Sequence, residues 1–138
     1  MNSDNEKARA KGVLLVEDSA TQAIMSEAVI EEVASIELLE TVEDGLQAMA
    51  YLKKEGKFAG AIRPDVVLLD VHMPNKSGFE VLREIRQDEE LRSIQVVMTS
   101  STESAEELET AEQQGADACI RKPLDADELA TLLEALNS

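Results

Sequence analysis

Four short polar signatures stand directly behind four apolar runs. Glu17-Asp18 follows residues 13–16, Asp70 follows 66–69, Thr99-Ser100 follows 96–98, and Lys122-Pro123 follows closely on 118–120. Brought to one edge, they would gather three carboxylates, a hydroxyl and an amine. Carboxylates a few ångströms apart repel one another, and a divalent cation relieves that repulsion. Hard oxygen ligands without sulfur or imidazole select Mg²⁺ or Mn²⁺. Mg²⁺ keeps several of its waters, so two or three carboxylates suffice. Lys122 then serves as a counter-ion, either to Asp70 or to a phosphoryl oxygen.

The elements that position these residues are legible in the hydropathy pattern. The runs at 13–16, 66–69 and 96–98 are rich in β-branched residues and carry no charge. That suits strands buried on both faces, as in a parallel sheet. Residues 36–42, interrupted by Glu37 and Glu40, and the brief Ala118-Cys119-Ile120 complete a set of five. Between them lie helical spacings: Ile24 with Ala28, the row Met25, Val29, Val33, then Phe79 with Leu82 and Ile85, and Leu129, Leu132, Leu133, Leu136. A capping residue followed three positions later by Glu or Gln marks a helix start. Such pairs occur at Ser19/Gln22, Asp44/Gln47, Ser77/Glu80, Ser104/Glu107 and Asp125/Glu128. Gly56 and Gly115 are the expected helix stops. The pattern predicts a (βα)5 chain, an α/β domain with a parallel sheet covered by helices on both faces. In such open sheets, sites form beyond the carboxyl ends of the strands. Residues 54–65 read as a long loop or a helix extension. Residues 1–11 read as a flexible segment, and 12–138 as the domain.

Composition narrows the function. The 138 residues allow one domain with a real core, burying roughly 70% of the surface an unfolded chain exposes. Asp plus Glu number 29 against 13 Lys plus Arg, a net charge of -16. That argues against nucleic-acid binding, which needs clustered positive charge, and against an anionic membrane surface. The lone Cys119 excludes an internal disulfide and cysteine zinc clusters; the lone His72 excludes a His-His metal site. There is no apolar run of membrane-spanning length and no signal-peptide core, so a cytoplasmic protein is expected.

The chain resembles the receiver domain of bacterial two-component response regulators. The resemblance is carried by Val13-Leu14-Leu15-Val16-Glu17-Asp18-Ser19, by Pro64-Asp65 through Asp70-Val71-His72-Met73-Pro74, and by Ser77-Gly78-Phe79-Glu80-Val81-Leu82. Val96-Val97-Met98-Thr99-Ser100 and the stretch from Gly115-Ala116-Asp117 to Lys122-Pro123-Leu124 complete it. The long connection before Arg63-Pro64-Asp65 is also similar to that of the cyanobacterial phytochrome response regulators. The resemblance implies a doubly wound, flavodoxin-like sheet of order 2-1-3-4-5. It implies that Asp70 is the phosphoacceptor and that Asp18 ligates Mg²⁺ directly, with Glu17 acting mainly through water. It further implies a metal contact from the backbone carbonyl of His72, a Thr99 hydrogen bond and a Lys122 ion pair to the phosphoryl group, and a cis bond before Pro123. The implied partners are a sensor histidine kinase or phosphotransfer protein and a downstream protein. With no effector domain expected beyond residue 138, output would be protein binding or onward phosphotransfer.

Two positions depart from the family pattern. Cys119 stands where the family usually has Tyr or Phe, so a swinging aromatic ring is not expected here. Glu17 replaces the commoner Asp. Three other functions compete. An aspartate-nucleophile phosphatase of the haloacid-dehalogenase type wants a second Asp two residues after the nucleophile, where this chain has His72. A pseudo-receiver would not need the acidic set. A flavodoxin-like nucleotide binder would need a glycine-rich loop after the first strand. His72 itself precedes Met73-Pro74, which breaks the helix a phosphotransfer histidine occupies. Cys119 reads as a small buried residue without a redox role. The runs Asp88-Glu89-Glu90 and Glu106-Glu107 read as solvated faces. Residues 93–138 hold ten acids and two bases, so one third of the chain carries half its net charge. That predicts a monomer or weak dimer and a partner with a basic surface.

Overall fold

The computed structural model describes residues 10–101 and 105–136. Strands β1 (Lys11–Val16), β2 (Ile36–Val42), β3 (Val66–Asp70), β4 (Gln95–Ser100) and β5 (Ala118–Arg121) form one parallel sheet of order β2-β1-β3-β4-β5. Helices α1 (Ala20–Glu32), α2 (Gly45–Leu52), α3 (Gly78–Gln87), α4 (Ala105–Gln113) and α5 (Ala126–Leu136) alternate with them. The charge-free runs are the central strands. Val13 through Val16 and Val66 through Leu69 are all buried, as a strand between two helical layers requires.

The two-residue period of a strand divides each run between two cores. Val13, Leu15, Val66, Leu68 and Val97 face one side, where Ile30 of α1 and Leu129 and Leu133 of α5 cover them. Leu14, Val16, Val67, Leu69 and Met98 face the other, packed by α2, α3 and Ala111 of α4. Strand order reverses at β1, which pairs with β2 on one side and β3 on the other. That reversal opens a crevice at the carboxyl ends of β1 and β3.

Four of the five expected caps accept the amide three residues on: Ser19, Asp44, Ser77 and Asp125. Ser104 lies outside the described residues. Gly115, at φ 101°, closes α4 as expected. Helix α2 ends earlier than Gly56 suggests. Lys54 takes the left-handed conformation (φ 57°), and the Glu55 amide returns to the Ala50 carbonyl. The long connection is a single 3₁₀ turn, Gly56–Phe58, with the Phe58 ring buried edge-on to Tyr51. Lys11 already belongs to β1, opposite Ile36.

One expectation fails. Ile24 and Met25 do not face the core; they are 67% and 51% exposed, and Ala28 is exposed as well. The buried side of α1 is Ala23, Ser26 and Ile30, with Val33 just beyond its end. Apolar residues surround most of this helix, so its own pattern selects no unique stripe. Val29 and Val33 of the expected row do pack against the core; the chosen face runs from them through Ile30, Ser26 and Ala23.

Candidate functional site

The site is assembled by strand ends brought into register. Beyond β1, the Glu17 amide still donates to the Val42 carbonyl (3.0 Å), which carries Glu17 one step past the strand in fixed position. Asp70 ends β3 opposite Thr99 of β4. Arg121 ends β5 opposite Ser100, and the Lys122 amide donates to the Ser100 carbonyl (2.8 Å). The Lys122–Pro123 bond is cis. Gly78, at the start of α3, backs the Asp70 peptide. A Cβ there would lie 2.3 Å from the Asp70 carbonyl oxygen, so α3 can approach β3 this closely only without a side chain.

The register brings the side chains together. Lys122 Nζ donates to Glu17 Oε1 at 2.7 Å and to Asp70 Oδ2 at 3.2 Å, with all three residues buried or nearly so. Asp70 Oδ1 accepts from the His72 amide at 3.3 Å. Asp18 stands exposed at the mouth, and one oxygen from each of Glu17, Asp18 and Asp70 lies within 4.8 Å of the others. Thr99 is buried beside them. One ammonium thus faces three carboxylates, leaving local negative charge that suits a divalent cation. The donor set is all hard oxygen, which fits Mg²⁺ or Mn²⁺. Burial pushes the Asp70 carboxyl up to about 6; Lys122 opposes the rise and Glu17 adds to it.

The remaining residues fall differently. The His72 ring is exposed and pairs through Nε2 with Glu107 Oε2 at 2.7 Å, outside the carboxylate triad. Glu107 is no mere solvated acid. Its other oxygen accepts from Ser100 Oγ at 2.8 Å, so it ties α4 to the ends of both β3 and β4. Cys119 is partly buried opposite Met98, and burial followed by the nearby Glu107 and Glu112 holds its thiol above the usual range. That keeps it a thiol and not a reactive thiolate.

Gln22 is the residue that sequence reasoning missed. As the third residue of a capping box, its side chain is expected to return to the Ser19 amide. That amide instead donates to Glu17 Oε2 (3.2 Å), while Gln22 Oε1 accepts from Lys122 Nζ at 2.5 Å. No signal in the sequence links positions 22 and 122, which meet only through the fold.

The family model of the response regulator receiver domain matches residues 13–134. The chain belongs to the response regulator receiver domain family. The response regulator Rcp1 of Synechocystis sp. is 29% identical over 97% of this chain and 91% of its own length. The chemotaxis protein CheY-3 of Vibrio cholerae is 34% identical over 91% of this chain and 88% of its own. Among solved structures, the bacteriophytochrome response regulator AtBRR superposes with a TM-score of 0.82 at 28% identity, covering 93% of both chains. The Mn²⁺-bound form of Rcp1 gives 0.73 at 29% identity, over 93% of this chain and 92% of that one. Receiver domains of response regulators are signalling proteins and not enzymes, and a receiver domain implies a histidine kinase partner. The acidic group of Glu17, Asp18 and Asp70 suits a divalent cation, and the relative Rcp1 has been crystallised in a Mn²⁺-bound form. Among the described residues, no helix is long and apolar enough to cross a membrane.

Proposed function

We propose that this receiver domain accepts a phosphoryl group on Asp70 from a histidine kinase or phosphotransfer protein and signals, in the cytoplasm, by protein binding or onward phosphotransfer. The observation that carries this reading is the buried Asp70 carboxylate, 3.2 Å from the Lys122 ammonium and beside Glu17 and Asp18. An Asp70 oxygen forms the new bond to phosphorus. The donor's bond to phosphorus breaks, and its electron pair leaves with the donor nitrogen. At pH 7 to 8 the carboxyl, pushed to about 6, is ionised and able to attack. Glu17, Asp18 and Asp70, with the backbone carbonyl of His72, would hold Mg²⁺ or Mn²⁺. The bound ion supplies positive charge opposite the phosphoryl oxygens. Thr99 and Lys122 take the other phosphoryl oxygens as hydrogen-bond donors. Incubation with acetyl phosphate and Mg²⁺ should add one phosphoryl group by intact mass, and EDTA should prevent it. A wild-type protein that stays unlabelled would favour the second reading, a phosphorylation-independent interaction module, for which Cys119 in place of an aromatic ring is the supporting feature. A phosphatase is disfavoured because His72 stands where that reaction wants a second Asp as general acid, and its ring turns to Glu107 outside the acidic group.

The two adjacent acids are not equivalent in this scheme. Glu17 is committed to Lys122 and the Ser19 amide, while Asp18 is exposed at the mouth. Asp18→Ala should weaken Mg²⁺ binding by about tenfold or more, a factor of ten being ~1.4 kcal/mol, and Glu17→Ala by less. Calorimetric titration of both variants decides this; equal losses would remove the distinction between a direct and a water-mediated ligand.

The output surface is proposed from charge. Within the acid-rich third, α4 begins with Glu106 and Glu107 and α5 with Asp127 and Glu128. Two such faces repel at low salt within a Debye length of ~10 Å at 0.1 M. The domain should therefore run as a monomer or weak dimer, and its output partner should present a basic surface. Light scattering at low salt checks the first expectation. For the second, a partner on-rate independent of salt would show the acids to be solvated surface only.

A further inference from the structure

We infer that Gln22 is a positioning residue for Lys122, retaining its ammonium in the site when a divalent cation claims the carboxylates; this rests on the phosphoacceptor reading above. The ammonium has three N–H donors and three acceptors: Glu17 Oε1 at 2.7 Å, Gln22 Oε1 at 2.5 Å and Asp70 Oδ2 at 3.2 Å. Two of these acceptors belong to the acidic group suited to a cation; Gln22 does not. A divalent cation on Glu17 and Asp70 would both compete for their lone pairs and repel the ammonium. The Gln22 carbonyl is neutral and stands on a different element, α1, so it keeps its hold on Lys122 through that change.

The local chain is built to aim it. Ser19 Oγ accepts the Gln22 amide (3.3 Å), and Glu17 Oε2 accepts the Ser19 amide (3.2 Å). Glu17 thereby takes the amide that Gln22 would otherwise cap, which frees the Gln22 side chain to reach Lys122, just beyond β5. Without it, the ammonium has somewhere else to go. A crevice lined by Met25, Ser101, Pro123 and Leu124 opens beside Gln22 and Lys122. The Lys122 side chain, now 8% exposed, can turn into that crevice and regain water.

The test reads the ammonium directly. In the ¹H–¹⁵N spectrum of lysine side chains, a buried and hydrogen-bonded ammonium exchanges slowly and gives a cross-peak. Wild type should show the Lys122 peak both metal-free and in Mg²⁺. Gln22→Ala should lose it on Mg²⁺ addition, with the backbone amide spectrum otherwise retained. Gln22→Met, which keeps the length of the side chain without its carbonyl, should lose it as well. With acetyl phosphate, Gln22→Ala should lower the saturating phosphorylation rate about three- to tenfold, less than the ~10²–10³ of losing a group that touches the reacting charge. In a Lys122→Ala background the same substitution should have no further effect. A Gln22→Ala protein that keeps the Lys122 peak in Mg²⁺, or that slows phosphorylation equally with and without Lys122, would overturn the inference. A wild type that acetyl phosphate does not label would instead refute the phosphoacceptor reading, and the spectra would still decide the Gln22–Lys122 contact.

Discussion

Asp70→Asn should carry no phosphoryl group after incubation with acetyl phosphate and Mg²⁺ under conditions that label the wild type. The substitution keeps the shape of the side chain at the end of β3 but replaces a carboxylate oxygen by an amide, which is no nucleophile at neutral pH. The neighbouring carboxylates cannot take over. Glu17 is bound to Lys122 and the Ser19 amide, and Asp18 lies at the exposed mouth. Only Asp70 combines burial, the Lys122 ammonium and a place opposite Thr99. Intact-mass measurement over a time course reads the result. Full labelling of the variant would remove Asp70 from its assigned role.

The same substitution should stabilise the metal-free protein at neutral pH. Burial and the nearby Glu17 push the Asp70 carboxyl up to about 6, against ~3.9 in an unfolded chain. Between those values the folded state still binds a proton that the unfolded state has released. The stability Asp70 contributes is therefore full below about pH 4 and is lost as pH rises through about 6. Above that, the ionised carboxylate in a crowded acidic pocket opposes folding by about 1–3 kcal/mol, on the scale of ~1.4 kcal/mol per pKa unit. Asn carries no such charge. Urea denaturation in EDTA should show the variant gaining on the wild type between about pH 4.5 and pH 7.5, and Mg²⁺ should narrow the gap by binding the wild-type carboxylates. A difference that does not change with pH would mean that the pocket is not electrostatically strained.

Much of this architecture is written in single residues. The charge-free runs of β1, β3 and β4 can only be satisfied between two helical layers, and the polar residues that end them come to one edge in any parallel sheet. Four of the expected capping residues bind the amides predicted for them because the cap is a local contact spanning three residues. The face of α1 was not legible. Ile24 and Met25 compete with Ala23, Ser26 and Ile30 around one helix, and only its docking on the sheet chooses between them. The run Glu106-Glu107 was equally opaque, since its composition matches an ordinary solvated helix start. One of its members instead bridges His72 and Ser100.

By itself, then, the sequence determined the strands, their parallel alternation with helices and the identity of the residues at their ends. Period and charge placement act over a few residues and leave little freedom. The tertiary structure alone decided how those ends share their hydrogen bonds. Lys122 has three donors, and its acceptors lie 105, 100 and 52 residues away along the chain. Which oxygens it takes depends on which are already occupied. Glu17 covers the Ser19 amide and so releases Gln22; Glu107 takes His72 and Ser100 while Lys122 remains with the acids. Competition among neighbouring donors and acceptors has no period and no motif, because it is settled only when the groups are packed within reach of one another.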